Sequence, residues 1–212
     1  MVKLTGFKKW KKEILAQKSK LLLSLIFLSI SIILYHYAGL YVDKSATNTV
    51  GDLIIDHTKP LNLEFLYGSG FKLMLLVFFL YPLFFCVKNL YVVITQYSLL
   101  LLVRNAFICL THLKTPIDAV YININNNITG LYGYLGFNND LFFSGHTAFP
   151  FLGFLIFKGH KIRWFFLAAS IILGATVLLI HAHYSIDVFA APFITYGVYK
   201  FGEWVLKPRQ IR

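Results

Sequence analysis

The chain has 212 residues, of which 58% are hydrophobic and 14% charged, and its mean hydropathy is +0.67. A soluble domain runs nearer a quarter charged and half apolar, and here the apolar excess is gathered in blocks of membrane-span length. A soluble enzyme, a disordered chain and a disulfide-rich secreted module are therefore excluded, and one compact membrane domain is expected. The net charge of +11 would suit nucleic acid, but seven of the 20 bases fall in the first 20 positions (Lys3, Lys8, Lys9, Lys11, Lys12, Lys18, Lys20). That clustering points to a membrane flank and away from a nucleic-acid partner.

In chain order, residues 1–20 form a basic segment in which Phe7, Trp10, Ile14 and Leu15 supply apolar contact. It reads either as an arm on an anionic membrane surface or as a cytoplasmic flank obeying the positive-inside rule. Six transmembrane helices are predicted within a membrane domain spanning residues 21–205: Leu21–Leu40, Phe65–Val87, Leu90–Leu110, Leu141–Phe157, Trp164–Ile180 and Tyr184–Val205. The first is too long for a signal core and has no small-residue cleavage site after it, so a retained helix is expected. Residues 206–212 make a basic tail, and the expected fold class is an all-α bundle. Cys86 and Cys109 lie inside apolar blocks and are expected to be buried thiols.

Fifteen Lys and Arg flank the spans on the side of the N-terminus against three on the other, with Lys72 and Arg104 inside spans. Both termini are therefore expected to be cytoplasmic, and the long connections 41–64 and 111–140 extracytoplasmic. The second is polar and turn-prone. Its Asn127-Ile-Thr129 matches a glycosylation acceptor, a match that chance in so Asn-rich a loop also explains.

Ionisable groups inside spans are costly and mark sites. Arg104 lies seven residues before the outer end of its span, roughly 10 Å deep at helical rise. His146 sits in Ser144-Gly-His-Thr147, and His183 and Asp187 in His181-Ala-His-Tyr-Ser-Ile-Asp187. On the expected topology, these four groups from three helices converge near one leaflet. His183 and Asp187 are i, i+4 partners on a helix face, and a carboxylate beside an imidazole fixes its tautomer and strengthens the other nitrogen as nucleophile or base. His146 can protonate a leaving oxygen, and Arg104 has a guanidinium fork suited to phosphate. Together they make a metal-free phosphoryl-transfer set. Singly, each also fits a plainer role: an interfacial histidine, a structural His–Asp pair, a snorkelling arginine. Zinc on His181, His183 and His146 is disfavoured, because residues two apart point to different helix faces and no further ligand stands at spacing.

These motifs resemble the sphingomyelin synthase family, a lipid phosphotransferase branch of the type 2 phosphatidic acid phosphatase superfamily, from about Gly51 to Trp204. Asp140-Leu-Phe-Phe-Ser-Gly-His-Thr147 and His181-Ala-His-Tyr-Ser-Ile-Asp-Val188 carry most of the likeness. Gly51-Asp-Leu-Ile-Ile-Asp-His57, and Arg104 with Thr111 and Pro116, carry less. The resemblance implies six membrane helices and no metal or other cofactor. His183 would be the nucleophile assisted by Asp187, with His146 handling the alcohol proton. A phospho-head-group (phosphocholine, phosphoethanolamine or phosphoinositol) would move from a phospholipid donor to a ceramide-like acceptor, leaving diacylglycerol. Arg104, Asp140, Ser144, Gly145 and Tyr184 are the expected substrate contacts, with Tyr132, Tyr134, Phe142 and Phe143 as aromatic candidates for a cationic head group. Phosphatases of the superfamily place an arginine where this chain has Val177, and their Lys-and-Arg-Pro motif is missing. Fewer fixed cations suit a diester better than a monoester. The alternative is a lipid phosphatase or phospholipase C-like hydrolase on the same residues. A non-catalytic carrier fits the intact His146/His183/Asp187 set less well. An assembly of several copies is left open.

Overall fold

The computed structural model describes residues 6–120 and 136–206. Among them are seven α-helices: α1 (Gly6–Ala16), α2 (Lys18–Ser45), α3 (Phe71–Phe85), α4 (Leu90–Leu110), α5 (Gly145–Ile156), α6 (Arg163–Leu179) and α7 (Ser185–Leu206). A π-helical turn, Leu66–Gly70, opens α3, and 3-10 turns lie at Ile55–His57 and Val87–Asn89. No strand is formed among the described residues beyond one isolated bridge between Asn48 and Leu113. The Asn127 acceptor, Tyr132 and Tyr134 lie outside the described residues.

Three segments are long and apolar enough to cross a membrane: Lys18–Ser45, Leu66–Phe85 and Val87–Leu110. α5 and α6, at 12 and 17 residues, are shorter than the usual span. α7 has 22 residues but carries Asp187, Lys200 and Glu203. Each predicted span overlaps one long helix; Leu90–Leu110 coincides with α4, and the other ends are shifted. The fourth was expected from Leu141, yet α5 begins only at Gly145. Arg104 bonds the carbonyls of Asp140 and Phe143, so this stretch serves a side chain instead of an intrahelical ladder. The first long helix, expected from Leu21, begins at Lys18, and Gln17, with φ of −118° and ψ of 15°, separates it from α1 within the basic segment.

Packing is inverted relative to a soluble bundle. On α2 the buried residues are Ser24, Ser31, Ala38, Gly39 and Val42, while Leu22, Leu23, Ile26, Ile30 and Ile33 are exposed. Water gives no reason to expose that row; lipid does. Small residues let α2 lie closely along α4. Polar side chains then join the helices: Asn105 Nδ2 donates to Ser31 O at 3.0 Å, Gln96 Nε2 to Tyr199 O at 3.1 Å, and Ser170 Oγ to Thr147 O at 2.8 Å. α5 packs on α6 and α7; a Cβ at Gly153 would stand 2.6 Å from the Phe166 ring, so only glycine admits that approach. Phe78, Phe157 and Phe166 are fully buried in the apolar core beneath the site. Cys86 is buried, Cys109 half-buried, and both are free thiols.

Candidate active site

The Ser144 and Asp187 motifs, far apart in sequence, are joined through the backbone: Ser144 N–H donates to Asp187 O at 3.0 Å. Ser144 has ψ 118°, a non-helical angle suited to the residue before a helix. α5 therefore starts at Gly145, and His146 falls in its first turn. At the start of α7, fully buried Asp187 accepts Tyr184 N–H on Oδ2 at 3.0 Å and faces His183 Nδ1 at 3.2 Å. An acid in the first turn also complements the positive end of the helix dipole. Because the carboxylate only accepts, the proton of neutral His183 belongs on Nδ1, leaving a lone pair on Nε2.

His146 is held by the π-helical turn. Tyr67 stacks on it at 4.2 Å and 21°, Phe71 lies 4.2 Å away at 34°, and His146 Nε2 donates to Tyr67 O at 3.3 Å. The irregular turn thus supplies one ring and a carbonyl to one imidazole, and the first residue of α3 supplies the second ring; such turns recur at functional positions.

Arg104, buried on α4, donates through Nε to Phe143 O at 2.8 Å and through Nη2 to Asp140 O at 3.0 Å. Its Nη1 pairs with Asp140 Oδ1 at 2.5 Å, and Tyr35 OH donates to Asp140 Oδ2 at 2.5 Å. The guanidinium therefore shapes residues 140–144 as well as bordering the cavity, and the Asp140 charge is largely answered by Arg104.

A cavity of about 680 Å³ is bordered by Arg104, Asp140, Gly145, His146 and His183, within the usual size range for small-molecule sites. Ser144, Tyr184 and Asp187 are buried behind it and do not border it. Tyr184 OH donates to Lys114 O at 2.8 Å and accepts Val50 N–H at 3.3 Å, which ties both long connections to the site. Phe142 and Phe143 do not border the cavity, whereas Tyr35, Tyr67 and Phe71 do. Lys72 also borders it, adding a cation to the count on which the diester argument rests.

Two supports escaped the sequence reading. Asp52 reaches across from the first connection: its Oδ2 accepts Ser185 N–H and Oγ–H, both at 2.7 Å, and its Oδ1 accepts the N–H groups of Ile54 at 2.9 Å and Ile55 at 3.0 Å. Burial alone would raise this carboxyl, but the bonds from Ile55, Ser185 and Ile54 outweigh it and hold it below the usual carboxylate range. The signal was the Gly51–His57 motif, whose partner could not be read. The second is His181, buried at φ 57°. The bonds Ala182 N→Val177 O and His181 N→Leu178 O make a Schellman ending to α6, with His181 where glycine is usual. Its ring compensates the strain: Nδ1 lies 2.9 Å from Asp118 Oδ2 and Nε2 3.1 Å from Thr58 Oγ1. Both nitrogens of His181 thus face protein groups. No group of three His, Cys, Asp or Glu able to hold a metal ion occurs among the described residues.

Residues 139–204, just under a third of the chain, match the family model of the PAP2 superfamily C-terminal domain. No curated protein and no solved structure matches the chain. The match supports the type 2 phosphatidic acid phosphatase superfamily for the stretch carrying His146, His183 and Asp187, and it does not select the sphingomyelin synthase branch.

Proposed function

We propose that the protein is a six-span membrane enzyme, with both termini cytoplasmic and its site in the extracytoplasmic leaflet, that transfers a phospho-head-group between lipids through a phosphohistidine. The observation that carries this reading is the pairing of His183 with Asp187 beside a cavity that also receives His146 and Arg104. The superfamily match supports chemistry on phospholipid-type phosphate esters.

His183 Nε2 attacks phosphorus and forms an N–P bond. The P–O bond to diacylglycerol breaks, and the departing oxygen takes a proton from His146. Asp187 stabilises the charge that develops on His183. In the second half, His146 removes the proton of the acceptor's primary hydroxyl. That oxygen attacks phosphorus, and the N–P electron pair returns to His183. We assign ceramide or a related lipid alcohol as acceptor, and phosphocholine, phosphoethanolamine or phosphoinositol as the group moved. Arg104 and the N–H groups opening α5 face the phosphate oxygens. Tyr35, Tyr67 and Phe71 are better placed to meet a cationic head group than Phe142 and Phe143, which do not border the cavity.

Lys72 beside the cavity favours a second reading, hydrolysis of a monoester, since another cation suits a second phosphate charge. Purified protein in mixed micelles, given phosphatidylcholine, phosphatidylethanolamine and phosphatidylinositol with labelled ceramide and chelator, separates the two. Transfer predicts a new ceramide phospholipid that disappears in His183→Ala. Diacylglycerol or inorganic phosphate without a labelled lipid product supports hydrolysis.

A further inference from the structure

The basic N-terminal segment is a built part of the fold, and it is not absorbed by the catalytic reading. α1 closes the end of α3, where a helix leaves carbonyls without partners. Trp10 Nε1 donates to Leu83 O at 2.8 Å, Gln17 Nε2 donates to Val87 O, and Glu13 lies 3.6 Å from Lys88. These contacts fix one face of α1 against the α3–α4 turn, where two long apolar segments meet. A helix of 11 residues, roughly 16 Å long, is thereby held against the ends of two long apolar segments.

Its other face is exposed and carries Lys8, Lys9, Lys11 and Lys12, with Phe7 at 72% and Leu15 at 55% exposure. The chain has no acid with which to answer these lysines. Of its nine acids, Glu13 faces Lys88, and Glu203 faces Lys158 and Lys200. The remaining seven (Asp43, Asp52, Asp56, Glu64, Asp118, Asp140, Asp187) belong to the connections and helix ends around the catalytic cavity. Residues 1–5 and 207–212 add only further bases. The complement must come from outside the chain.

We propose that α1 is an interfacial platform that binds the anionic phosphate head groups of the leaflet in which α3 and α4 turn. Its lysines meet the phosphates while Phe7 and Leu15 enter the acyl boundary. Charge and exposed apolar side chains on one short helix are the combination that a lipid surface accepts and a soluble acidic polymer does not reward.

The test is native mass spectrometry of the full-length protein after equilibration with phosphatidylglycerol or phosphatidylcholine at equal concentration. Each lysine near a charged surface contributes about 1 kcal/mol, so the wild type should retain phosphatidylglycerol at least about fivefold over phosphatidylcholine. Lys8→Gln, Lys9→Gln, Lys11→Gln and Lys12→Gln together should lower that ratio severalfold, and the four Lys→Arg changes should keep it. Hydrogen exchange at residues 10–17 verifies that α1 stays docked in both variants. An unchanged ratio in the glutamine variant, or its loss in the arginine variant, overturns the proposal. So does displacement of phosphatidylglycerol by polyglutamate at equal charge, which would make the face a site for a soluble acidic partner.

Discussion

The two ends of the bundle treat charge in opposite ways. At the end with the cavity, charged and titratable groups are answered within the chain: Arg104 by Asp140 and His183 by Asp187, all largely buried, and buried His181 by the exposed Asp118. At the other end, formed by the α3–α4 turn, the α5–α6 connection and the last turns of α7, bases are exposed, and the ion pairs are partly open to solvent, as with Lys88–Glu13, Lys158–Glu203 and Lys200–Glu203. One end uses its charge to hold groups in place around the cavity, while the other presents charge to its surroundings. Substitutions should therefore cost much at the first end and little at the second.

The largest expected effect is at His183. His183→Ala removes the proposed nucleophile, and turnover should fall by about a thousandfold or more while yield and folding persist; the measurement is lipid product by mass spectrometry. Asp52→Ala comes next, because it strands the N–H groups of Ser185, Ile54 and Ile55. We expect a loss of about 2–3 kcal/mol in unfolding measurements in detergent. Its pH dependence has a definite sign. The folded-state carboxyl is held below its unfolded value, so its contribution is present above the ordinary aspartate range, near pH 4. That contribution is lost as pH falls through the depressed value. Wild type and Asp52→Ala should therefore differ in thermal midpoint at neutral pH and converge as pH falls below the ordinary aspartate range.

Tyr67→Leu should lower turnover about tenfold by freeing His146, with rescue in Tyr67→Phe, which keeps ring and carbonyl. Carbethoxylation of His146, followed by peptide mass spectrometry, should accelerate in the leucine variant alone; equal rates in all three would break the clamp. The smallest effect is at the other end. Glu203→Gln weakens contacts to Tyr199, Lys200 and Lys158, yet these are partly exposed, and we expect under about 1 kcal/mol. A loss as large as that at Asp52 would erase the contrast between the ends.

The sequence told much about helices and little about the contacts between their ends. Apolar runs located every long helix, because lipid-facing periodicity is a local signal. The convergence of Arg104, His146, His183 and Asp187 followed from span boundaries alone. The start of α5 was misplaced because hydropathy cannot see Arg104 taking backbone carbonyls. The break at Gln17 was hidden by a lysine-rich run whose partner, the α3–α4 turn, lies about 70 residues away. Tyr67 gave no signal, and His181 stood in a motif without showing its supporting role, since a π-helical turn and a left-handed histidine are fixed by neighbours brought in from other segments. Asp52 was legible as a motif but not as a support, because its partner Ser185 is 133 residues distant.

The central claim is that His183 carries the phospho-head-group. The most direct measurement mixes the protein with donor phospholipid in the absence of acceptor, quenches at alkaline pH to preserve an acid-labile N–P bond, and maps the added mass by peptide mass spectrometry. The account predicts the mass of a phospho-head-group on the peptide containing His183, discharged when ceramide is added and absent in His183→Ala. Diacylglycerol release at wild-type rate from His183→Ala, or the adduct on another residue, would contradict it.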